Sequence, residues 1–79
     1  MTLRLQYFSR LRDLQAPETV DLPENATVAD LLHCLYGAVP GLRDWDRHLL
    51  VAVGDHYATR DVRLQPSDLV SLMPPVQGG

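Results

Sequence analysis

One segment of this 79-residue chain carries a long run of apolar residues at helical spacing: Val28, Leu31, Leu32, Leu35 and Tyr36 fall at i, i+3, i+4, i+7 and i+8. Such a stripe covers one face of one sheet, so the remaining residues must supply the strands. Thr27-Val28-Ala29-Asp30 resembles a capping box at the helix start, with Thr27 as N-cap and Asp30 in the third helical position, where Glu or Gln is preferred. Gly37, followed by Pro40-Gly41, is expected to stop the helix.

The strands read by alternation. Leu3 to Phe8 places Leu3, Leu5 and Tyr7 on one side and Arg4, Gln6 and Phe8 on the other, so Phe8 is an apolar residue in the outer row. Ser9 to Leu14 reads as a short helical turn with Ser9 as its cap, ended by Ala16-Pro17. Glu18 to Leu22 is a second strand able to return along the first, and Pro23-Glu24-Asn25 is a turn. Leu42 to His48 fits a short helix and fits equally a loop plugged by Trp45. Leu49 to Val53 is an apolar strand, Gly54-Asp55 a two-residue hairpin turn, and His56-Tyr57-Ala58 a short return strand. After a turn at Leu64 to Asp68, the last strand runs from Leu69 to Met73, with Val70 and Leu72 facing one way and Leu69, Ser71 and Met73 the other. Pro74-Pro75 ends regular pairing because neither has an N–H to donate.

Strand, strand, helix, strand, short strand, strand is the element order of an α+β chain of the β-grasp, or ubiquitin-like, type: a mixed sheet covered on one face by one main helix. Residues 1–73 are expected to form that domain, and residues 74–79 an extended tail ending in Gly-Gly. A chain this short leaves little room for a buried active site. A net charge of −3, with arginines scattered along the chain, leaves no footprint for nucleic acid. Neither a signal peptide nor a membrane span is visible, and the expected location is cytoplasmic.

Side-chain chemistry is sparse. Cys34 is the one cysteine and reads as a small buried hydrophobe. His33, His48 and His56 have no metal-ligand spacing and read as surface histidines, so no metal site is expected. Asp44 and Asp46 flank Trp45 in what reads as a solvated turn, not an acid/base pair.

The tail is the feature with chemical potential. Pro74-Pro75 holds the exit stiff, and Gly78-Gly79 leaves the tip without side chains. Six residues reach roughly 20 Å when extended, enough to enter a narrow channel while the folded body stays outside. A C-terminal carboxylate is ionised at neutral pH and a poor electrophile. Adenylation would supply a leaving group, and a sulfur nucleophile could displace it to form a thiocarboxylate on Gly79, whose lack of a Cβ leaves the carbonyl open. This is group-carrier chemistry, catalysed by other proteins.

Val70-Ser71-Leu72-Met73-Pro74-Pro75-Val76-Gln77-Gly78-Gly79 resembles the closing pattern of the molybdopterin synthase small-subunit family, ubiquitin-like sulfur carriers of molybdenum cofactor synthesis. Tyr7-Phe8 with Arg10-Leu11-Arg12-Asp13-Leu14, the Thr27 to Leu32 helix start and Val51-Ala52-Val53 extend the likeness over the whole chain. Gly54, Ser67 and Met73 depart from it: the family often has Asn at the first position, Gly at the second and an aromatic residue at the third. The resemblance implies that a ubiquitin-activating-like adenylyltransferase uses ATP and magnesium to activate Gly79 and that a sulfurtransferase system supplies sulfur. The tail, Pro74, Pro75, Val76, Gln77 and Gly78, then inserts into the synthase large subunit. There, two deliveries form the molybdopterin dithiolene from cyclic pyranopterin monophosphate. The implied assembly is a heterotetramer of two small and two large subunits, with no cofactor bound by this chain itself. Phe8, Met73 and Tyr57 are the expected partner-facing residues; the first two share an outer face by strand parity, and Tyr57 matches a third hydrophobic position of the family.

Three other readings stay open: a sulfur carrier for thiamine thiazole synthesis, a ubiquitin-like modifier joined through Gly79 to lysines, and an interaction domain whose tail is incidental. The first of these families usually lacks Pro-Pro-Val.

Overall fold

The computed structural model describes residues 1–75; Val76, Gln77, Gly78 and Gly79, which carry the expected tail chemistry, lie outside the described residues. Five strands form one mixed sheet: β1 (Thr2–Tyr7), β2 (Thr19–Asp21), β3 (Leu50–Val53), β4 (His56–Tyr57) and β5 (Leu69–Met73). Their order across the sheet is β2-β1-β5-β3-β4. The central pair β1 and β5 runs parallel, with Leu5 opposite Val70 and Tyr7 opposite Leu72. The other pairings are antiparallel. This is the β-grasp arrangement expected from the element order.

The helix α1 (Val28–Ala38) lies over one face because its stripe demands it. Val28, Leu31, Leu32 and Leu35 are buried in one cluster with Leu3 and Leu5 of β1, Val51 of β3, and Val70 and Leu72 of β5. Its N-terminus is a full capping box: the Asp30 amide donates to Thr27 Oγ1 at 3.2 Å, and the Thr27 amide donates to Asp30 Oδ2 at 2.9 Å. Asp30 thus does what the longer Glu usually does, and these hydrogen bonds hold its carboxyl below the usual carboxylate range.

Three local expectations fail. Gly37 does not end α1, which continues through Ala38; Val39 caps it, its amide donating to Leu35 O at 2.7 Å, and Pro40 brings no N–H to continue. A glycine inside a helix lowers its propensity but does not break its hydrogen bonds. Ser9 is not a cap: the turn is a 3₁₀ helix (Ser9–Leu14) whose N-cap is Phe8, and no side chain caps it. Cys34 is exposed, not buried. At about 100° per residue it sits roughly 110° from the centre of the buried stripe, on the solvent side of α1.

The ambiguous stretch divides. Pro40–Arg43 is a short helix, α2, with Leu42 fully buried, and tight turns follow through His48. Gly41 lets α2 approach the 3₁₀ helix, since a Cβ there would stand 3.1 Å from Leu14 Cδ2. Trp45 is half-buried against the edge of the core. Asp46 is no free turn residue: it accepts the Tyr36 hydroxyl at 2.6 Å and the Arg60 guanidinium at 2.9 Å. Arg60 also donates to the Asp46 carbonyl at 2.8 Å, which ties this turn to α1 and to the loop after β4.

The Tyr36 hydrogen bond and then the Arg60 pair hold the Asp46 carboxyl below its ordinary value. A depressed folded-state value means stability that is present above the unfolded carboxylate range and lost as pH falls through the folded value. Both partners are over a third exposed, with side-chain accessibilities of 42% and 46%. Solvent screening therefore limits the contribution to about 1 kcal/mol or less. Urea titrations of wild type and Asp46→Asn are expected to differ by that amount at neutral pH and to converge in acid. A difference that survives acidification would assign the effect to packing instead.

Candidate functional site

Parity on the uncovered face of the sheet brings together residues far apart in sequence. Ser71 of β5 stands opposite Gln6 of β1 and Ala52 of β3, and Ala52 stands opposite Tyr57 of β4. Those four form one row across the sheet. In the next row Met73 stands opposite Leu50, and Phe8 follows the Tyr7–Leu72 pair, its amide donating to Leu72 O at 3.1 Å. The two rows place small residues in the middle and large apolar ones around them.

Phe8, Tyr57 and Met73 line one concavity of about 220 Å³ with Ala52, Ser71, Gly54 and Asp55. Phe8 is 40% exposed and Tyr57 73%, and they are the exposed large hydrophobics among the described residues. Ser71, at 8%, is the buried floor. Single exposed apolar residues are ordinary, but several around one hollow form the kind of surface that associates with another protein. Gly54 fixes the rim: at φ +60° it makes the two-residue turn that returns β4, and its amide donates to Leu69 O at 2.9 Å. This turn conformation is one that Gly and Asn enter most readily.

The root of the tail borders this hollow. β5 ends at Met73, and the half-buried Pro74 and Pro75 line a second concavity, of about 370 Å³, with Ser9, Arg10 and Trp45. Phe8-Ser9 and Met73-Pro74 are the two places where the chain passes from one hollow to the next. Sequence reasoning did not foresee Arg10 or Trp45 here. Trp45 is expected as a plug only in the loop reading of Leu42 to His48, and no local pattern indicates what it lies beside.

Elsewhere the surface offers little chemistry. His33, His48 and His56 are exposed, and among the described residues no group of His, Cys, Asp and Glu is placed to hold a metal. Burial raises Tyr7 to about 12, and its hydroxyl donates to Pro17 O at 2.7 Å as a structural tie. Burial first, then the Asp46 hydrogen bond, likewise raises Tyr36 to about 12. Among the described residues no helix is long and apolar enough to cross a membrane.

A β-grasp body that presents an apolar hollow beside the exit of a diglycine tail defines a ubiquitin-like carrier protein. The chain matches the model of the ThiS family over residues 5–79 and belongs to that family, the ubiquitin-like sulfur carriers. Among solved structures it is similar to SAMP1 from Haloferax volcanii, with 28% identity, 100% of both chains covered and a TM-score of 0.81. It is also similar to a putative molybdopterin converting factor, subunit 1, from Pyrococcus furiosus, with 28% identity, 95% of this chain and 98% of that one covered, and a TM-score of 0.82. A third likeness is to a protein-protein complex of subunits 1 and 2 of molybdopterin-converting factor from Helicobacter pylori, at 25% identity, full coverage of both chains and a TM-score of 0.68.

Proposed function

We propose that this protein is the small, sulfur-donating subunit of a molybdopterin synthase, with sulfur carried as a thiocarboxylate on Gly79. The observation that carries the reading is the hollow formed by Phe8, Tyr57 and Met73 directly beside the tail root. A partner seated there receives the tail at the edge of the contact and not at a distance from it. The Pro74-Pro75-Val76 exit favours this pathway over thiazole synthesis, and the Helicobacter pylori complex supplies a relative whose subunit 1 associates with a subunit 2.

In this reading an adenylyltransferase uses ATP and magnesium to join AMP to the Gly79 carboxylate, with release of pyrophosphate. A sulfurtransferase system then provides sulfur at the sulfide level, whose attack on the Gly79 carbonyl forms the C–S bond, breaks the bond to AMP and leaves the thiocarboxylate. Docking on the large subunit, in an assembly of two small and two large chains, delivers that sulfur to cyclic pyranopterin monophosphate. The small subunit binds no cofactor of its own and contributes reach, tail geometry and a docking face.

Intact-mass spectrometry after incubation with ATP, the activating enzyme and a sulfur source tests the carrier step. A gain equal to exchange of one oxygen for sulfur, located at Gly79, is the expected result, and an unmodified terminus under activating conditions rejects the reading. The docking face is tested by Phe8→Asp, which places a charge in an apolar contact. Binding to the large subunit is expected to weaken by about 2 kcal/mol, roughly thirtyfold in Kd, with folding intact because Phe8 is 40% exposed. Unchanged affinity by calorimetry rejects the hollow as the interface.

The similarity to Haloferax volcanii SAMP1, a small archaeal modifier protein, favours a second reading, in which Gly79 is joined to lysines of other proteins. High-molecular-weight conjugates that vanish when Gly79 is deleted would establish it.

A further inference from the structure

Among the described residues, four besides glycine have a positive φ: Ser9 at 57°, Gln15 at 55°, Asn25 at 70° and Ser67 at 68°. Three of them sit where chains ordinarily turn. Gln15 closes the 3₁₀ helix, Asn25 lies in the turn after Pro23, and Ser67 lies in the turn before β5. Ser9 is placed differently: it follows the Phe8 that lines the docking hollow, and it opens a helix.

The left-handed region is unfavourable for a residue with a Cβ, and nothing local compensates Ser9. Its side chain is exposed, and no side-chain bond caps the turn. The conformation is imposed from either side. Phe8 stays extended, at φ −119° and ψ 152°, with its amide donating to Leu72 O at 3.1 Å. Leu11 is fully buried, and its amide donates to Phe8 O at 3.2 Å. Only Ser9 and Arg10 intervene, so the chain changes direction at one residue, and both backbone polar groups of Phe8 are tied. Strain that the surroundings hold in place is found where a side chain has to be placed for use. The side chain placed here is that of Phe8, 40% exposed and lining the hollow with Tyr57 and Met73.

We infer that Ser9 is a positioning residue: its left-handed backbone joins the two bonds that fix Phe8, and so sets the Phe8 ring at the docking face before any partner arrives. The inference rests on the proposed docking to a large subunit for its partner, but not for what Ser9 does in the free chain. A ring already in place loses fewer conformations on association, so the effect belongs to affinity.

A residue that resists positive φ separates this role from that of an ordinary turn. Val is β-branched and enters the left-handed region with difficulty. The strain in Ser9→Val can be relieved at Phe8 or at Leu11, and Phe8 gives way first. Its amide bond lies beyond the end of β1 on an exposed residue, whereas Leu11 belongs to the core.

Calorimetry against the large subunit is expected to show Kd weakened about tenfold in Ser9→Val. Ser9→Asn, which tolerates positive φ, is expected to stay within about twofold of wild type. On a Phe8→Ala background, Ser9→Val is expected to change Kd by less than about twofold, because the ring it controls is gone. Wild-type affinity in Ser9→Val, with only a lowered Tm, overturns the inference, and so does an equal loss on both backgrounds. A Ser9→Val chain that fails to fold also overturns it, since the strain would then be relieved in the core and not at Phe8.

Phe8 is the one phenylalanine of the chain, so para-fluorophenylalanine labelling gives a single fluorine resonance that reports on the ring without a partner. In wild type and Ser9→Asn this resonance is expected to stand away from its position in denaturing urea, and in folded Ser9→Val to move toward that position. A resonance unmoved in Ser9→Val overturns the inference on structural grounds. If wild type does not bind the large subunit, the docking reading fails and the fluorine result decides the role of Ser9 by itself.

Discussion

A chain lacking Gly79 is expected to fold as wild type does and to acquire no sulfur at all. The buried core reaches as far as Leu72, and the last strand ends at Met73, before the tail begins. In the proposed carrier reading the chemistry depends on the terminal carbonyl alone. Removing Gly79 leaves a carboxylate on Gly78, shorter by one residue, or about 3.5 Å at full extension. A displacement of that size at a reacting atom is far outside the tolerance of an active site, where about 1 Å of misplacement costs on the order of a hundredfold. Intact mass after incubation with the activating enzyme, and thermal unfolding on the same sample, check both halves. A truncated chain that still gains sulfur would move the carrier site off Gly79, and one that unfolds early would show that the tail stabilises the body.

The largest stability effect is expected at Leu72, one residue before the outer-face Met73. Leu72 is fully buried in the central strand, opposite Tyr7 of β1 and Val51 of β3, and in the cluster covered by α1. Leu72→Ala leaves a cavity bounded by the sheet and the helix, where the scaffold cannot collapse from one side. A cost of about 3–5 kcal/mol is expected. At roughly 0.05–0.15 kcal/mol per residue, a domain of this length has about 4–12 kcal/mol in total, so the variant stands near the threshold of unfolding. Met73→Ala faces the other way, is half-buried at the rim of the hollow, and is expected to cost about 1 kcal/mol or less in stability while weakening the partner contact. Urea denaturation of the two variants, with m unchanged from wild type, distinguishes them. Equal losses at 72 and 73 would mean that the outer hollow belongs to the core.

Much of the fold was readable from spacing. The stripe from Val28 to Tyr36 located the helix and the Thr27 and Asp30 pair its start; alternation located β1, β2 and β5, and an apolar run with the Gly54-Asp55 turn located β3 and β4, each to within a residue or two. These signals are legible because they come from short-range geometry: hydrogen bonds three and four residues apart, and side chains that switch faces at each step of a strand. The failures share a cause as well. Gly37 looked like a stop because glycine is common after helices, yet the actual end is decided by where Pro40 falls. Ser9 looked like a cap because of its residue type, but Phe8, continuing the extended backbone of β1, occupies that position. Cys34 looked buried because it sits beside Leu35, although neighbours in sequence along a helix point about 100° apart.

The sequence by itself determined the helix and its cap, the alternating strands, the hairpin at Gly54, and the stiff exit followed by two glycines, since each depends on residues within a turn or a pleat of one another. Strand parity and the family resemblance point to Phe8, Met73 and Tyr57 as one face; only the tertiary structure decided how they meet and which other distant residues join them. The parallel pairing of β1 with β5 put Phe8 next to Met73, the β3–β4 return brought Tyr57 across Ala52 and Ser71 to the same hollow, and the anchoring of Asp46 by Tyr36 and Arg60 set Trp45 beside Pro74 and Pro75. Those meetings depend on sheet order and on the packing of turns. Both are set by how the whole apolar core closes, and no local run of residues encodes them.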